Sequence, residues 1–162
     1  MKNIRWDKRH GKILSAICSR FYDENIRYFI LRNYEGLPEV NPSKDVDIIV
    51  DPLNFIIAKN ILKEEYTKHD ITYCYEVNFA YIHCFHGMNI DSKLGIHIDI
   101  IGSYVSKGSE LFSFDEMYKY TENYNNFRVL NKFFEGVMVF IYKQFNYNRP
   151  ILKDEYKEII YN

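Results

Sequence analysis

Asp45 and Asp47 stand one residue apart at the head of an apolar run, Lys44-Asp45-Val46-Asp47-Ile48-Ile49-Val50. A second segment of the same character comes later in the chain, Gly95-Ile96-His97-Ile98-Asp99-Ile100-Ile101. In a strand, residues i and i+2 point to one face. Asp45 and Asp47 therefore share a face, with Val46, Ile48 and Val50 on the other. Asp99 is opposed in the same way by Ile98 and Ile100. Carboxylates among apolar neighbours are costly unless something cationic compensates their lost hydration. A divalent ion does so, and oxygen donors select a hard one, magnesium or manganese. Three such acids can hold two ions about 3.5–4 Å apart, which clamp both ends of an in-line phosphoryl displacement. Short side chains on rigid strands give the placement this chemistry needs. The third acid, Asp99, is the candidate to accept the proton of an attacking hydroxyl.

The elements that must position these acids can be read from periodicity and punctuation. Ile13, Leu14, Ile17, Cys18 and Phe21 recur at helical spacing and predict a helix over about 7–24. Arg27 to Leu31 reads as a buried strand. Asn33 to Ser43 is a loop punctuated by Gly36, Pro38 and Pro42. Asp51-Pro52 opens a second helix, with Asp51 as N-cap, running to about His69 with Phe55, Ile56, Ile61, Leu62 and Tyr66 as its apolar positions. Strand-like runs follow at Ile71–Val77, Phe79–Phe85 and Leu94–Ile101, with turns at Asn78 and from Gly87 to Asp91. Ser113 and Glu116 form a capping box. Phe127–Leu130 reads as a small strand, and Lys132–Phe145 as an apolar core helix with Phe133, Val137, Phe140 and Ile141 in one stripe. Pro150 opens a last short helix. Three consecutive strand-like runs and helices gathered late predict an α+β fold: a mixed sheet with helices packed on it.

The totals bound the function. A chain of 162 residues suits one domain with a real core, and is also the size of a domain within a longer protein. A net charge of -1 argues against long nucleic acid as the main partner, though not against a nucleotide. Cys18, Cys74 and Cys84 form no CxxC pair, which predicts reduced thiols and a cytoplasmic location. No apolar stretch approaches the roughly 18 residues that span a bilayer. His83, Cys84 and His86 invite a zinc reading, but strand alternation turns His83 away from the other two. The N-terminal Lys2, Arg5, Lys8, Arg9 and Lys12 read as a solvated helix end. Oligomeric state is not legible.

The pattern resembles the nucleotidyltransferase superfamily whose best-known member is DNA polymerase beta. The residues that carry the resemblance are the strand Tyr28-Phe29-Ile30-Leu31, the pair Asp45-Val46-Asp47 and the third acid Asp99, over roughly residues 25–160. More narrowly, Leu31-Arg32-Asn33-Tyr34-Glu35-Gly36-Leu37-Pro38 and Gly95-Ile96-His97-Ile98-Asp99-Ile100 resemble uncharacterised nucleotidyltransferase-like domains of bacterial surface-polysaccharide loci. Lys143 also resembles a position where related domains keep a basic residue. The resemblance implies an enzyme: magnesium- or manganese-dependent transfer of a nucleoside monophosphate from an NTP to a small-molecule acceptor, such as a polysaccharide precursor. Asp45, Asp47 and Asp99 would be both catalytic residues and metal ligands. The superfamily usually has Gly-Ser after the first strand. This chain has Arg32-Asn33-Tyr34-Glu35-Gly36 there, so Arg32, with Asn33 and Lys44, is the expected phosphate-binding set. Arg32 could instead pair with Glu35 or Asp45. Asp99 could pair with His97. Two other readings stay open: a non-catalytic domain binding a nucleotide or sugar-phosphate, and a toxin–antitoxin-type nucleotidyltransferase acting on protein or RNA.

Overall fold

The structure is a computed structural model that describes residues 6–43 and 45–147; of residues 145–147 it describes the backbone alone. Lys2, Arg5, Lys44 and the helix expected at Pro150 lie outside the described residues. Helix α1 (Lys8–Asp23) starts at Asp7, whose carboxylate accepts from the Arg9 backbone N–H while the His10 ring reaches back to the Asp7 backbone N–H. Strands β1 (Tyr28–Ile30) and β2 (Val46–Val50) are antiparallel neighbours on either side of the loop. Asp51 caps a 3-10 turn, Pro52–Asn54, by accepting from the Leu53 N–H, and this leads into α2 (Phe55–Lys68). A meander follows: β3 (Tyr73–Asn78), β4 (Ile82–Asn89) and β5 (Leu94–Ile101). A small hairpin, β6 (Tyr104–Ser106) and β7 (Ser109–Phe112), precedes α3 (Phe114–Tyr118). The hairpin β8 (Thr121–Tyr124) and β9 (Phe127–Leu130) precedes α4 (Lys132–Tyr147), where Asn131 accepts from the Phe134 N–H.

Seven strands form one sheet in the order β3-β4-β5-β2-β1-β9-β8. The pairs β2·β5 and β1·β9 are parallel and the rest antiparallel, so the sheet is mixed and the fold is α+β, as expected. Alternation along β5 shows how the sheet divides its two faces. Leu94, Ile96, Ile98 and Ile100 pack with Val46, Ile48 and Val50 against Ile13, Leu14 and Ile17 of α1 and Ala58, Ile61 and Leu62 of α2. Ile101 lies on the other face with Phe29, Leu31, Ile49 and Leu130, under Phe114 and Met117 of α3 and Phe134 and Met138 of α4. Each large apolar side chain buried this way contributes roughly 1.5–3 kcal/mol. The acids sit on this second face.

Several expectations are corrected. The second meander strand runs Ile82–Asn89, not Phe79–Phe85, and Gly87 lies inside it rather than opening a turn. A Cβ at Gly87 would lie 2.7 Å from the Tyr66 ring, so the glycine serves the close approach of α2 to the sheet. Ile56 is exposed, because α2 turns Ala58, Ile61, Leu62, Glu65 and Tyr66 inward. On α4 the buried stripe is Phe134 and Met138, while Phe133 is exposed and Val137, Phe140 and Ile141 are half-buried. Apolar residues on both sides of α4 left the sequence without a unique inward face. Strands β6, β7 and β8 were not anticipated.

Candidate active site

Asp45 and Asp47 are placed from two directions. Upstream, the loop folds back on itself at Asn41, whose side-chain oxygen accepts from the Ser43 N–H at 2.9 Å. The Asn41 amide donates to the Asp45 backbone carbonyl at 3.0 Å, and the Ser43 hydroxyl donates to the Asp45 carboxylate at 2.5 Å. Downstream, β2 enters the centre of the sheet, and every residue from Val46 to Val50 is buried. Parallel pairing with β5 sets Asp47 beside Asp99 in register, so both carboxyls point to the same face. One carboxylate oxygen from each of Asp45, Asp47 and Asp99 falls within 4.8 Å of the others.

The surroundings shift Asp47 and Asp99 in opposite directions. Burial pushes the Asp47 carboxyl above the usual range, and the nearby charges of Asp45 and Asp99 add to it. Arg32 opposes the rise, its Nε donating to Asp47 Oδ2 at 2.6 Å, without cancelling it. The Arg32 side chain is 45% exposed at the mouth of the site. Burial also acts to raise Asp99, but His97 and Cys84 outweigh it and the net shift is downward. His97 Nε2 lies 2.8 Å from Asp99 Oδ1, an ion pair when the ring is protonated. That carboxylate raises the His97 ring above its ordinary value. Burial, followed by Asp99 and then Asp47 and Asp45, pushes the Cys84 thiol up to about 12.

The three acids open into a cleft of about 450 Å³ between the sheet and α4. Leu31, Ile82, Ile101, Met138 and Val139 give it apolar walls. Tyr104 and Tyr142, with ring centroids 6.3 Å apart, stand at its side, and Glu135 and Lys143 also line it. A wider cleft, about 1500 Å³, lies between α1 and the β8–β9 hairpin. Among the described residues no cluster of metal-ligating side chains lines it. Its arginines are engaged, Arg27 with Asp51 and Asp115, and Arg128 with Thr121 and Asn123.

Of the residues singled out from the sequence, Asp45, Asp47, Asp99 and Arg32 line one cleft, and Lys143 joins them. Arg32 pairs with Asp47, rather than with Glu35 or Asp45, because its Cα follows the β1 end that is hydrogen-bonded across to Asp47 through Leu31. Glu35 instead pairs with Lys132. Asn33 adopts a left-handed backbone conformation, φ 57°, just past Arg32. Lys44 lies outside the described residues. His83 turns to the opposite face and bonds Glu76 at 2.8 Å, as alternation required. Sequence reasoning missed Asn41 and Ser43, although Asn-Pro-Ser before an acid is a readable turn signal. It also missed Tyr104, Glu135 and the approach of Cys84 to Asp99, which depend on tertiary packing and strand register. Among the described residues no helix is long and apolar enough to cross a membrane.

No family model and no curated protein matches the chain. Among solved structures, a proposed nucleotidyltransferase from Thermotoga maritima is similar over 83% of this chain and 86% of that one, with 16% identity and a TM-score of 0.48. A likeness this distant assigns neither activity nor substrate.

Proposed function

We propose that this chain is a metal-dependent nucleotidyltransferase that passes a nucleoside monophosphate from an NTP to a small-molecule acceptor. The observation that carries the reading is the convergence of Asp45, Asp47 and Asp99 on one cleft through the in-register pairing of β2 with β5. The donor set fits a hard divalent ion. It consists of carboxylate oxygens, and Asp99 Oδ1 is sealed from solvent beside His97. Asp45, Asp47 and Asp99 would hold magnesium or manganese. When bound, the ion lowers the pKa of an attacking hydroxyl and neutralises the triphosphate.

The chain's own residues supply the rest. Arg32 is tethered to Asp47 but exposed enough to turn outward and meet a phosphate with its guanidinium fork. Asn33, which follows Arg32, and Lys44, which precedes Asp45, complete the proposed phosphate contacts. Asp99, held ionised by His97, is placed to take the proton of the acceptor hydroxyl. Tyr104 and Tyr142 offer ring faces at the cleft wall for a base or sugar. A volume of about 450 Å³ lies within the usual range for small-molecule sites. The assignment of the acceptor to surface-polysaccharide chemistry rests on the resemblance of segments 31–38 and 95–100 alone, and a single-domain, cytoplasmic protein is part of the same proposal.

One observation favours a second reading, a nucleotide- or sugar-phosphate-binding domain without turnover. The turn after β1 lacks Gly-Ser, and the arginine in its place is drawn onto Asp47. Incubation with each NTP, manganese or magnesium, and a panel of sugar phosphates separates the two. Metal-dependent pyrophosphate release that disappears in Asp99→Asn supports transfer. Saturable nucleotide binding with no pyrophosphate from any pairing supports the binding domain instead.

A further inference from the structure

The antiparallel register of β4 and β5 sets Cys84 opposite Asp99 and His86 opposite His97. All four side chains therefore rise from the face that carries the three aspartates, Cys84 and His86 one strand further from β2 than His97 and Asp99. One ligating atom from each of Cys84, His97 and Asp99 lies within 4.8 Å of the other two. His97 Nε2 and Asp99 Oδ1 are both sealed from solvent and face each other at 2.8 Å. With the Cys84 sulfur they bring three ligating atoms together at one place. The His86 ring packs on that of His97, with centroids 4.0 Å apart, and so fixes the direction in which His97 points.

The donor chemistry differs from that of the neighbouring acids. A thiolate sulfur, an imidazole nitrogen and one carboxylate oxygen suit a borderline ion such as zinc or cobalt, and suit magnesium poorly. Three protein ligands leave a fourth tetrahedral position for water or another group. We propose that Cys84, His97 and Asp99 form a second metal site, selective for an ion of the zinc class, that shares only Asp99 with the three-aspartate site. Binding there exchanges the Cys84 S–H bond for a metal–sulfur bond, and the thiol proton passes to solvent. Because Asp99 serves both sites, zinc occupancy draws it away from a hard cation and weakens manganese binding next door.

Cobalt is the probe, since a thiolate ligand gives it an intense near-ultraviolet charge-transfer absorption. The full chain, reduced and stripped of metal, is titrated with cobalt and then with zinc. The expected result is a charge-transfer band that zinc abolishes at one equivalent. Cys84→Ser should remove the band, and Cys74→Ser, exposed and on the opposite face of the sheet, should keep it. His97→Gln should weaken zinc binding about 10-fold or more. Asp45→Asn should keep the band while losing manganese, which separates this site from the proposed function. A wild-type chain that binds no manganese but shows the band would sink the nucleotidyltransferase reading and leave the zinc site standing. Thermal melting of each variant confirms that it is folded, and His97→Gln tests the site independently if Cys84→Ser is not. A wild-type chain without the band, a band that survives Cys84→Ser in folded protein, or unchanged zinc affinity in His97→Gln would overturn the proposal.

Discussion

On the helix-covered face of the sheet, Glu76 is met by Lys59 at 2.7 Å, Lys63 at 2.6 Å and His83 at 2.8 Å. Through the sheet, on the opposite face, Asp45, Asp47 and Asp99 are packed within 4.8 Å of one another. Burial acts to raise both Glu76 and Asp47, but the outcomes differ in sign. Hydrogen bonds from Lys59, Lys63 and His83 outweigh it and bring Glu76 down to about 2, whereas Asp47 ends above its ordinary value despite Arg32. Glu65 behaves like Glu76, lowered overall by Lys68 and Arg20 against its burial. One acid among several cations ties α2 to the sheet and serves stability. Asp47, buried beside two further acids, costs stability when ionised in the metal-free protein, and a charge that the fold does not need points to a ligand.

The comparison breaks most readily at the crowded acids. Asp99→Asn and Asp47→Asn should each lower nucleotidyl transfer by at least about 100-fold, because each removes a ligand and an interaction formed at the reacting centre. Asp47→Asn should leave the melting temperature of the metal-free protein equal or higher, whereas Asp99→Asn should lower it modestly, because it removes the partner that holds His97. Calorimetric melting beside a pyrophosphate-release assay checks both halves. Loss of stability in step with loss of activity in Asp47→Asn would make Asp47 an ordinary structural partner.

Arg32 sharpens the comparison, since it is a cation borrowed by the site rather than fixed in it. Arg32→Ala should weaken nucleotide affinity by roughly 30-fold, the cost of losing a charged partner. The same change should tighten manganese binding in the absence of nucleotide, because Asp47 no longer has a competing partner. Arg32→Lys should recover part of the nucleotide affinity, as a point charge cannot reproduce the fork. Calorimetric titration of metal and nucleotide separately reads the two opposite signs. Equal affinities in all three proteins would confine Arg32 to its ion pair.

On the compensated face, Glu76→Gln should destabilise the fold by about 1.5 kcal/mol at neutral pH, discounted for the exposure of Lys63. The Glu76 carboxyl is depressed in the folded state, from 4.5 to about 2, so its contribution is complete above the unfolded value. It is lost as pH falls through the folded value. Denaturant melts should therefore show a constant gap between wild type and variant above about pH 5, closing toward pH 2. A gap independent of pH would place the loss in packing. The smallest effect belongs to Ser43, whose hydroxyl orients Asp45. Ser43→Ala should reduce transfer by about 5-fold, in line with about 1 kcal/mol for one hydrogen bond, and leave stability unaltered.

What the sequence made legible follows the reach of each signal. The Asp51-Pro52 helix start, the Ser113–Glu116 capping box and the strand Phe127–Leu130 are local patterns, and all three are present. Alternation alone separated His83 from Cys84 and His86, and separated the acids from the apolar face of β2 and β5. Register is not local. Nothing in either segment states that Asp47 lies beside Asp99, or that Cys84 faces Asp99 from β4. Gly87 misled because a glycine that admits the Tyr66 ring and a glycine that makes a turn look alike in sequence. The inward face of α4 was misread because both of its sides are apolar, and so Glu135, buried at the cleft, was overlooked.

The central claim is that the crowded acids bind a divalent ion and the compensated acid does not. Manganese titration followed by electron paramagnetic resonance tests it directly, since the free aqueous ion gives the signal and bound ion loses it. The account predicts saturable loss of signal for wild type and for Glu76→Gln alike, and none for Asp45→Asn, Asp47→Asn or Asp99→Asn at the same concentrations. A wild-type protein that leaves the signal untouched with and without nucleotide, or aspartate variants that bind as wild type does, would contradict it.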